Sequence, residues 1–108
     1  MKEQTEAQLL RVFVGESDKF EGKCLYEAIV HRAHERGMSG ATVLHGMLGF
    51  GARNRLHTAK VLRLSEDLPV VVEIVDTPER VAAFLPELDT MIGQGLVTLE
   101  KVRIIRYR

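Results

Sequence analysis

The sequence predicts an α+β domain in which an antiparallel sheet carries two helices on one face. The chain has 108 residues, of which 45% are hydrophobic and 28% charged, the balance of one ordinary folded domain. Runs rich in β-branched residues alternate with stretches of helical periodicity, and the order strand, helix, strand occurs twice. We therefore expect a ferredoxin-like βαββαβ sandwich over residues 9–108, after a polar segment 1–8 that is expected to be disordered.

The first half of the chain supplies a strand, a helix and a second strand. Leu9–Val14 is rich in β-forming residues and predicts the first strand. From Lys23 to Arg36 the apolar residues recur at helical spacing, which predicts the first helix. Residues 41–50 predict a second strand that two glycines weaken, and residues 49–60 predict a long loop.

The second half repeats this order. Val70–Val75 predicts the clearest strand of the chain. Thr77-Pro78 predicts an N-cap followed by proline at the first helical position, and the second helix then runs to about Met91. Pro86 is expected to kink that helix. Residues 96–107 predict a last strand, with an irregularity at Glu100-Lys101.

Both faces of the two central strands are predicted to be apolar. Right-handed crossovers place the first and third strands in the centre of the sheet. In the first strand Leu10 and Val12 lie on one face, and Leu9 and Phe13 lie on the other. In a lone domain the face away from the helices is normally polar. Either a loop covers that face locally or copies of the chain pack their open faces together, and we favour the oligomer.

The formal net charge is zero, with 15 basic and 15 acidic residues, but the charges are unevenly distributed. Two segments without acids, residues 36–65 and 101–108, carry nine of the 15 basic residues. A neutral total excludes indiscriminate binding to polyanions, and no nucleic-acid partner is expected. The uneven distribution still allows a local site for a small anion.

Residues 49–60 combine glycines with basic side chains. Glycine lets backbone N–H groups approach an anion closely, and arginine presents a forked donor that suits phosphate or carboxylate. The spacing matches neither a dinucleotide-binding fingerprint nor a phosphate-binding P-loop. The segment is therefore either a solvated basic loop or a contact for an anion, nucleotide or partner protein. Its length favours a functional loop.

Other candidate residues give weaker indications. His31 and His34 lie three residues apart on the first predicted helix, but two histidines alone do not specify a metal site. Cys24 is the single cysteine, which fits a structural thiol in a reducing cytoplasm. Glu73 in a central strand needs a partner, and Arg11 across the sheet is the expected one. No nucleophile–base set emerges, so no enzyme is expected, and no apolar run is long enough to insert into a membrane.

Three stretches carry a resemblance to a known family. These are VGESD at residues 14–18, GATVLHGMLGFG at residues 40–51 and LSEDLPVVVEIVD at residues 64–76. They resemble the family called domain of unknown function 190, and the resemblance covers about residues 9–106. That family is similar to the PII signalling proteins and to CutA. The resemblance implies a PII-like homotrimer with open sheet faces turned inward. It also implies that residues 49–60 correspond to the PII T-loop, which contacts regulated partners such as a membrane transporter.

The resemblance also implies a ligand site. In PII proteins small effectors bind in clefts between subunits near the base of the T-loop. By position, the matching residues come from the loop, from the turn before the last strand and from that strand itself. They are Gly49, Gly51, Arg53, Arg55, His57, Lys60, Gly93, Gln94, Gly95, Arg103 and Arg106.

The function expected from the sequence is that of a non-enzymatic, cytoplasmic regulator. It would bind a small anionic metabolite, expected to be an adenine nucleotide, between its subunits and contact a transporter or other regulated protein through residues 49–60. The alternative is a metal-responsive trimeric protein similar to CutA that uses His31, His34 or His57. No catalytic residue and no resident metal are expected in the leading hypothesis.

Overall fold

The computed structural model describes residues 2–50, 57–58 and 67–108. Within these ranges the chain forms eight strands and two helices. The strands are β1 (Lys2–Gly15), β2 (Lys19–Phe20), β3 (Lys23–Cys24), β4 (Ala41–His45), β5 (Leu48–Gly49), β6 (His57–Thr58), β7 (Pro69–Asp76) and β8 (Leu96–Tyr107). The helices are α1 (Leu25–Glu35) and α2 (Pro78–Met91).

The main sheet has four antiparallel strands in the order β4-β7-β1-β8. The prediction that the first and third major strands lie in the centre is therefore confirmed. Strands β2 and β3 form a small hairpin before α1, and β5 pairs with β6 in a second hairpin. Both helices pack on the same side of the main sheet, which confirms the predicted α+β sandwich.

The first strand is longer than predicted. Residues 2–8, which the sequence predicted to be disordered, pair with β8 from Lys2 opposite Tyr107 to Gln8 opposite Lys101. The polar side chains of this segment do not prevent pairing, because β8 supplies the backbone hydrogen-bond partners. The register continues without a break from Gln8 to Leu9, which lies opposite Glu100, so the predicted irregularity at Glu100-Lys101 is wrong.

The predicted second strand, residues 41–50, is divided by Gly46. β4 ends at His45, and the Gly46 amide donates a hydrogen bond to the Pro69 carbonyl at 2.7 Å. The chain then starts β5, which pairs with β6 inside the predicted loop 49–60. The rest of that loop lies outside the described residues.

The second helix begins where its local sequence signal places it, and α1 lies two residues inside the predicted start and one inside the predicted end. The Thr77 side chain accepts a hydrogen bond from the Arg80 amide at 3.2 Å, which confirms the predicted N-cap of α2. Pro86 lies inside α2, and its exposed position leaves the buried face of the helix unbroken. In residues 2–50, 57–58 and 67–108, neither helix combines the length and apolar character that crossing a membrane requires.

The core lies between the helices and one face of the central strands. Alternate residues of β1 from Leu10 to Val14, and of β7 from Val70 to Ile74, are buried there, and the helices contribute their apolar stripes. The core residues are Leu10, Val12, Val14, Leu25, Ile29, Ala33, Val70, Val72, Ile74, Val81, Phe84, Leu88 and Met91. Burying this apolar set is the main stabilising contribution to the fold.

A buried carboxylate joins the two halves of the chain. Asp76 is only 2% exposed, and its two oxygens accept hydrogen bonds from the amides of Ser39 and Thr77, both at 2.8 Å. Ser39 precedes β4 and Thr77 caps α2, so one side chain fixes both connections at this end of the sheet.

The sheet face away from the helices is largely apolar, and no other element within residues 2–50, 57–58 and 67–108 covers it. We call it the open face. Phe13 is 36% exposed, Leu44 is 49% exposed and Leu96 is 61% exposed, and the register places all three on this side. The predicted ion pair lies in the middle of this face, where the Arg11 Nε donates to the Glu73 Oε2 at 2.8 Å.

Candidate functional site

Four connections of the chain meet at one end of the main sheet. Gly15 pairs with Pro69, His45 is opposite Val70, and Phe13 is opposite Leu96. The turn after β1, the chain after β4, the start of β7 and the loop before β8 therefore lie close together. We call this the loop end of the sheet.

Glycines allow backbones to approach closely at the loop end. A Cβ atom on Gly46 would lie 2.7 Å from the Pro69 Cγ, and one on Gly49 would lie 3.1 Å from the same atom. A Cβ atom on Gly95 would lie 2.9 Å from the Phe13 carbonyl oxygen. Side chains at these positions would push apart the elements that form this end, so glycine is needed there for close packing.

The turn after β1 is held by acidic side chains. The Ser17 amide donates to the Asp67 Oδ1 at 2.9 Å, and the Gly15 amide donates to the Asp18 Oδ2 at 2.9 Å. The Glu16 amide donates to the Leu68 carbonyl, also at 2.9 Å. The bonds to Asp67 and Leu68 tie this turn to the chain that enters β7. They hold the end of the connection between β5 and β7 in place.

A cluster of four polar side chains lies beside this turn. The His45 Nε2 lies 3.0 Å from the Glu16 Oε2, and the Tyr26 ring meets the His45 ring edge to face with centroids 5.4 Å apart. The Cys24 thiol donates to the Glu16 carbonyl at 3.9 Å. Partial burial raises the pKa of the Tyr26 hydroxyl, and the neighbouring Cys24 adds to that shift. The cluster links α1, β4 and the turn after β1.

Part of the predicted ligand set lies at the loop end. Gly49 belongs to β5, opposite His57 in β6, and residues 93–95 form the turn between α2 and β8. The remaining loop residues of the set lie outside the described part of the chain; they are Gly51, Arg53, Arg55 and Lys60.

Arg103 and Arg106 lie far from the loop end in one copy of the chain. They are seven and ten residues beyond Leu96 on β8, and Arg103 is opposite Glu6 while Arg106 is opposite Glu3. At about 3.4 Å per residue these steps correspond to roughly 24 Å and 34 Å. A single chain does not bring them to Gly49 or Gly95, so a shared site for these residues stays a prediction that requires a second copy.

The two arginines also lie on opposite faces of β8. Val97 packs against the core, so the odd-numbered residues of this strand face the helix side and the even-numbered residues face the open side. Arg103 therefore shares its face with Lys101, and Arg106 does not. The predicted ligand set did not include Lys101, although its two-residue spacing from Arg103 places both on one face of a strand.

The histidines of α1 are not gathered into a metal site. His31 and His34 are both exposed on the helix. Across residues 2–50 and 67–108, no three His, Cys, Asp or Glu side chains come together as a set of metal ligands. The alternative of a metal-responsive protein therefore receives no support from these parts of the chain.

The antiparallel sheet with both helices on one face defines a ferredoxin-like α+β protein. The chain belongs to the DUF190 family, described as uncharacterized ACR, whose model matches residues 7–104. A UPF0166 protein of Aquifex aeolicus is 43% identical over 98 residues, which cover 91% of this chain and 92% of the relative. A UPF0166 protein of Methanocaldococcus jannaschii is 35% identical over 102 residues, which cover 94% of each chain.

Solved PII-like structures share the fold. CPII, a nitrogen regulatory PII-like protein from Thiomonas intermedia bound to ADP, AMP and bicarbonate, superposes with a TM-score of 0.65 at 14% identity. The match covers 94% of this chain and 91% of CPII. The GlnK–ATP complex of B. subtilis matches with a TM-score of 0.50 at 12% identity, over 90% of this chain and 82% of GlnK. At these identities the likeness concerns the fold alone.

Proposed function

We propose that this protein is a non-enzymatic PII-like regulator that assembles into a trimer and binds a small anionic effector of the adenine nucleotide class. The observation that carries the proposal is the fold match along nearly the whole chain to CPII, a protein crystallised with ADP and AMP. The loop end supports it, because the turn before β8 contains Gly93, which has no atom within 4 Å of its Cβ position and so leaves backbone open to an anion.

The effector is proposed to bind between copies of the chain. Within one copy the basic residues of β8 lie roughly 24 Å or more from the loop end, at about 3.4 Å per residue. A neighbouring copy is therefore needed to bring a β8 arginine to the glycines. Arg103, with Lys101 on the same face, is the pair proposed to meet the phosphates, because an arginine fork and an ammonium group both suit them.

Residues 49–60 are proposed to transmit the binding of the effector to a partner protein. This segment starts at β5, whose pairing with β6 and contact with Pro69 fix its base. An anion bound at that base would favour one arrangement of the loop and thereby change its fit to a partner, with a transporter as the expected kind of partner. Cytoplasmic location is part of the same proposal.

Isothermal titration calorimetry with ATP, ADP and AMP tests the effector. We expect at least one nucleotide to bind with a micromolar dissociation constant, and we expect Arg103→Ala to weaken it about tenfold or more. Arg53→Ala tests the loop in the same way. Arg80→Ala is the matched control, because Arg80 lies on α2 and donates to the Gly37 carbonyl at 2.9 Å, away from the loop end. The absence of binding by all three nucleotides at millimolar concentration would contradict the proposal.

A further inference from the structure

A charged cluster lies in the middle of the apolar open face. The Arg11 guanidinium donates from Nε to the Glu73 Oε2 at 2.8 Å and from Nη1 to the Glu100 Oε1 at 2.9 Å. Its side chain is 37% exposed, and the Glu100 side chain is 62% exposed. One arginine between two glutamates leaves this cluster with a net charge of −1.

This net charge becomes unfavourable when a second copy of the chain covers the open face. Burying an unbalanced charge is unfavourable unless an opposite charge meets it. Within the described part of the chain, the second carboxylate oxygens of Glu73 and Glu100 accept no side-chain hydrogen bond. A copy packed on this face is therefore favoured if it brings a cation to these oxygens.

Arg106 is a cation on the same face without a carboxylate of its own. It lies on the even-numbered side of β8, as Glu100 does. Its cross-strand neighbour Glu3 forms its ion pair with Arg108 instead. Among residues 2–50 and 67–108, no carboxylate pairs with Arg106. The open face thus has an acidic excess near its centre and an unpaired cation toward one end.

The two charges cannot meet within one chain. Glu100 and Arg106 are six residues apart on a continuous strand, which corresponds to roughly 20 Å at about 3.4 Å per residue. Only another copy of the chain can place an Arg106 against this cluster. The residues between them on the open side are Val102 and Ile104, both half-buried and apolar, so the surface that joins the two charges also favours contact.

We propose that Arg106 is an assembly residue that pairs with Glu100 of a second copy across the open face, and that Arg103, on the opposite face, is the β8 arginine left for the effector. This inference rests on the proposed function, because it divides the predicted ligand pair between two roles. The apolar face supplies most of the association energy, and the ion pair sets how the copies are oriented.

Charge reversal and its rescue test the pair. Sedimentation velocity of the full chain without nucleotide measures association, and circular dichroism checks the fold of each variant. We expect Arg106→Glu to raise the dissociation constant of the assembly about tenfold or more, and Arg106→Glu combined with Glu100→Arg to recover most of that loss. Rescue identifies a contact between copies, because the two positions are too far apart to interact within one chain.

Arg80→Glu is the matched control, since it makes the same charge change on α2, on the helix side of the sheet and away from the open face. We expect it to associate as the wild type does. Equal association of wild type and Arg106→Glu, or a double variant no better than the single one, would overturn the inference. A wild type that is monomeric at all concentrations would overturn it too.

The failure of this inference is distinguishable from failure of the proposed function. If nucleotides bind to the wild type while Arg106→Glu associates normally, the role of Arg106 is wrong and the effector proposal stands. If Arg106→Glu dissociates and the double variant reassociates while no nucleotide binds, the assembly contact stands and the effector proposal is wrong.

Discussion

Gly95 illustrates how the absence of a side chain shapes the loop end. A Cβ atom there would lie 2.9 Å from the Phe13 carbonyl oxygen and 3.2 Å from side-chain carbons of Ile92 and Val14. Backbone cannot yield as a flexible side chain does, so the loop before β8 can approach β1 only with glycine at this position. Gly93, two residues earlier in the same loop, has no atom within 4 Å of its Cβ position.

Alanine substitutions at these two glycines should therefore differ. We expect Gly95→Ala to lower the free energy of unfolding by about 1–3 kcal/mol, because the added methyl group forces the loop away from β1. Gly93→Ala, the matched control, should change it by less than about 0.5 kcal/mol. Urea denaturation followed by circular dichroism measures both. Equal stability of the two variants would show that the loop moves without cost.

At the scale of elements, Glu87 joins the two helices. The Arg32 Nη1 donates to its Oε1 at 2.6 Å, and the Arg36 Nε and Nη2 donate to its two oxygens. Glu87 lies in α2. Arg32 lies in the last turn of α1 and Arg36 follows that helix, so one carboxylate links the two helices. Hydrogen bonds from Arg36 and then Arg32 lower the pKa of the Glu87 carboxyl.

The depressed pKa predicts how this contact responds to pH. A group whose pKa is lower in the folded state contributes its full stabilisation above its unfolded pKa, about 4.3 for glutamate, and loses it as pH falls through the folded value. We expect Glu87→Gln to lower Tm by a few degrees at pH 7. The difference from wild type should persist to about pH 5 and shrink as the pH falls below about 4.3.

Thermal unfolding from pH 7 to pH 3 checks this dependence. Asp89→Asn provides the control, because Asp89 is exposed on the same helix and has no ion pair within the described residues. A Tm difference for Glu87→Gln that is the same at pH 3 and pH 7 would mean that packing, and not the charge of the carboxylate, holds the helices.

Local sequence signals correctly place some boundaries of helices and strands and miss others. Thr77-Pro78 marks the start of α2 correctly, because an N-cap and a proline at the first helical position act within a few residues. Residues 2–8 were expected to be disordered and instead form half of β1. Their pairing partner, β8, is about 100 residues away in the sequence, so no local sequence signal predicts this pairing.

At the scale of the whole molecule, the open face is the surface through which we propose that copies of the chain assemble. Leu44 and Leu96 are each about half or more exposed on it, and Phe13 lies between them. A contiguous apolar surface of this kind favours association. The face adjoins the loop end, because Leu96 opens β8 directly after Gly95, so assembly and ligand binding are expected to depend on each other.

A charge placed on the open face should prevent assembly and spare the fold. We expect Leu44→Lys to weaken association about tenfold or more, since burying the ammonium group costs more than the leucine contributed. Ile105→Lys is the matched control: Ile105 is 47% exposed against 49% for Leu44, but it lies on the helix side of β8. Sedimentation equilibrium measures both. An equal loss for the two variants would show that the effect on association is not specific to the open face.

The alternation of apolar residues, the helix caps and the glycine turns are local properties, and from them the sequence alone determined the order of elements, the central strands and the Arg11–Glu73 pair. The motif stretches likewise led to the correct family. Tertiary structure alone decided three further points: that residues 2–8 pair with β8, that Gly46 ends β4 against Pro69, and that Arg103 and Arg106 point to opposite faces at a distance from the loop end. These depend on strand register, which sets both the face of every side chain and its distance from residues far away in the chain.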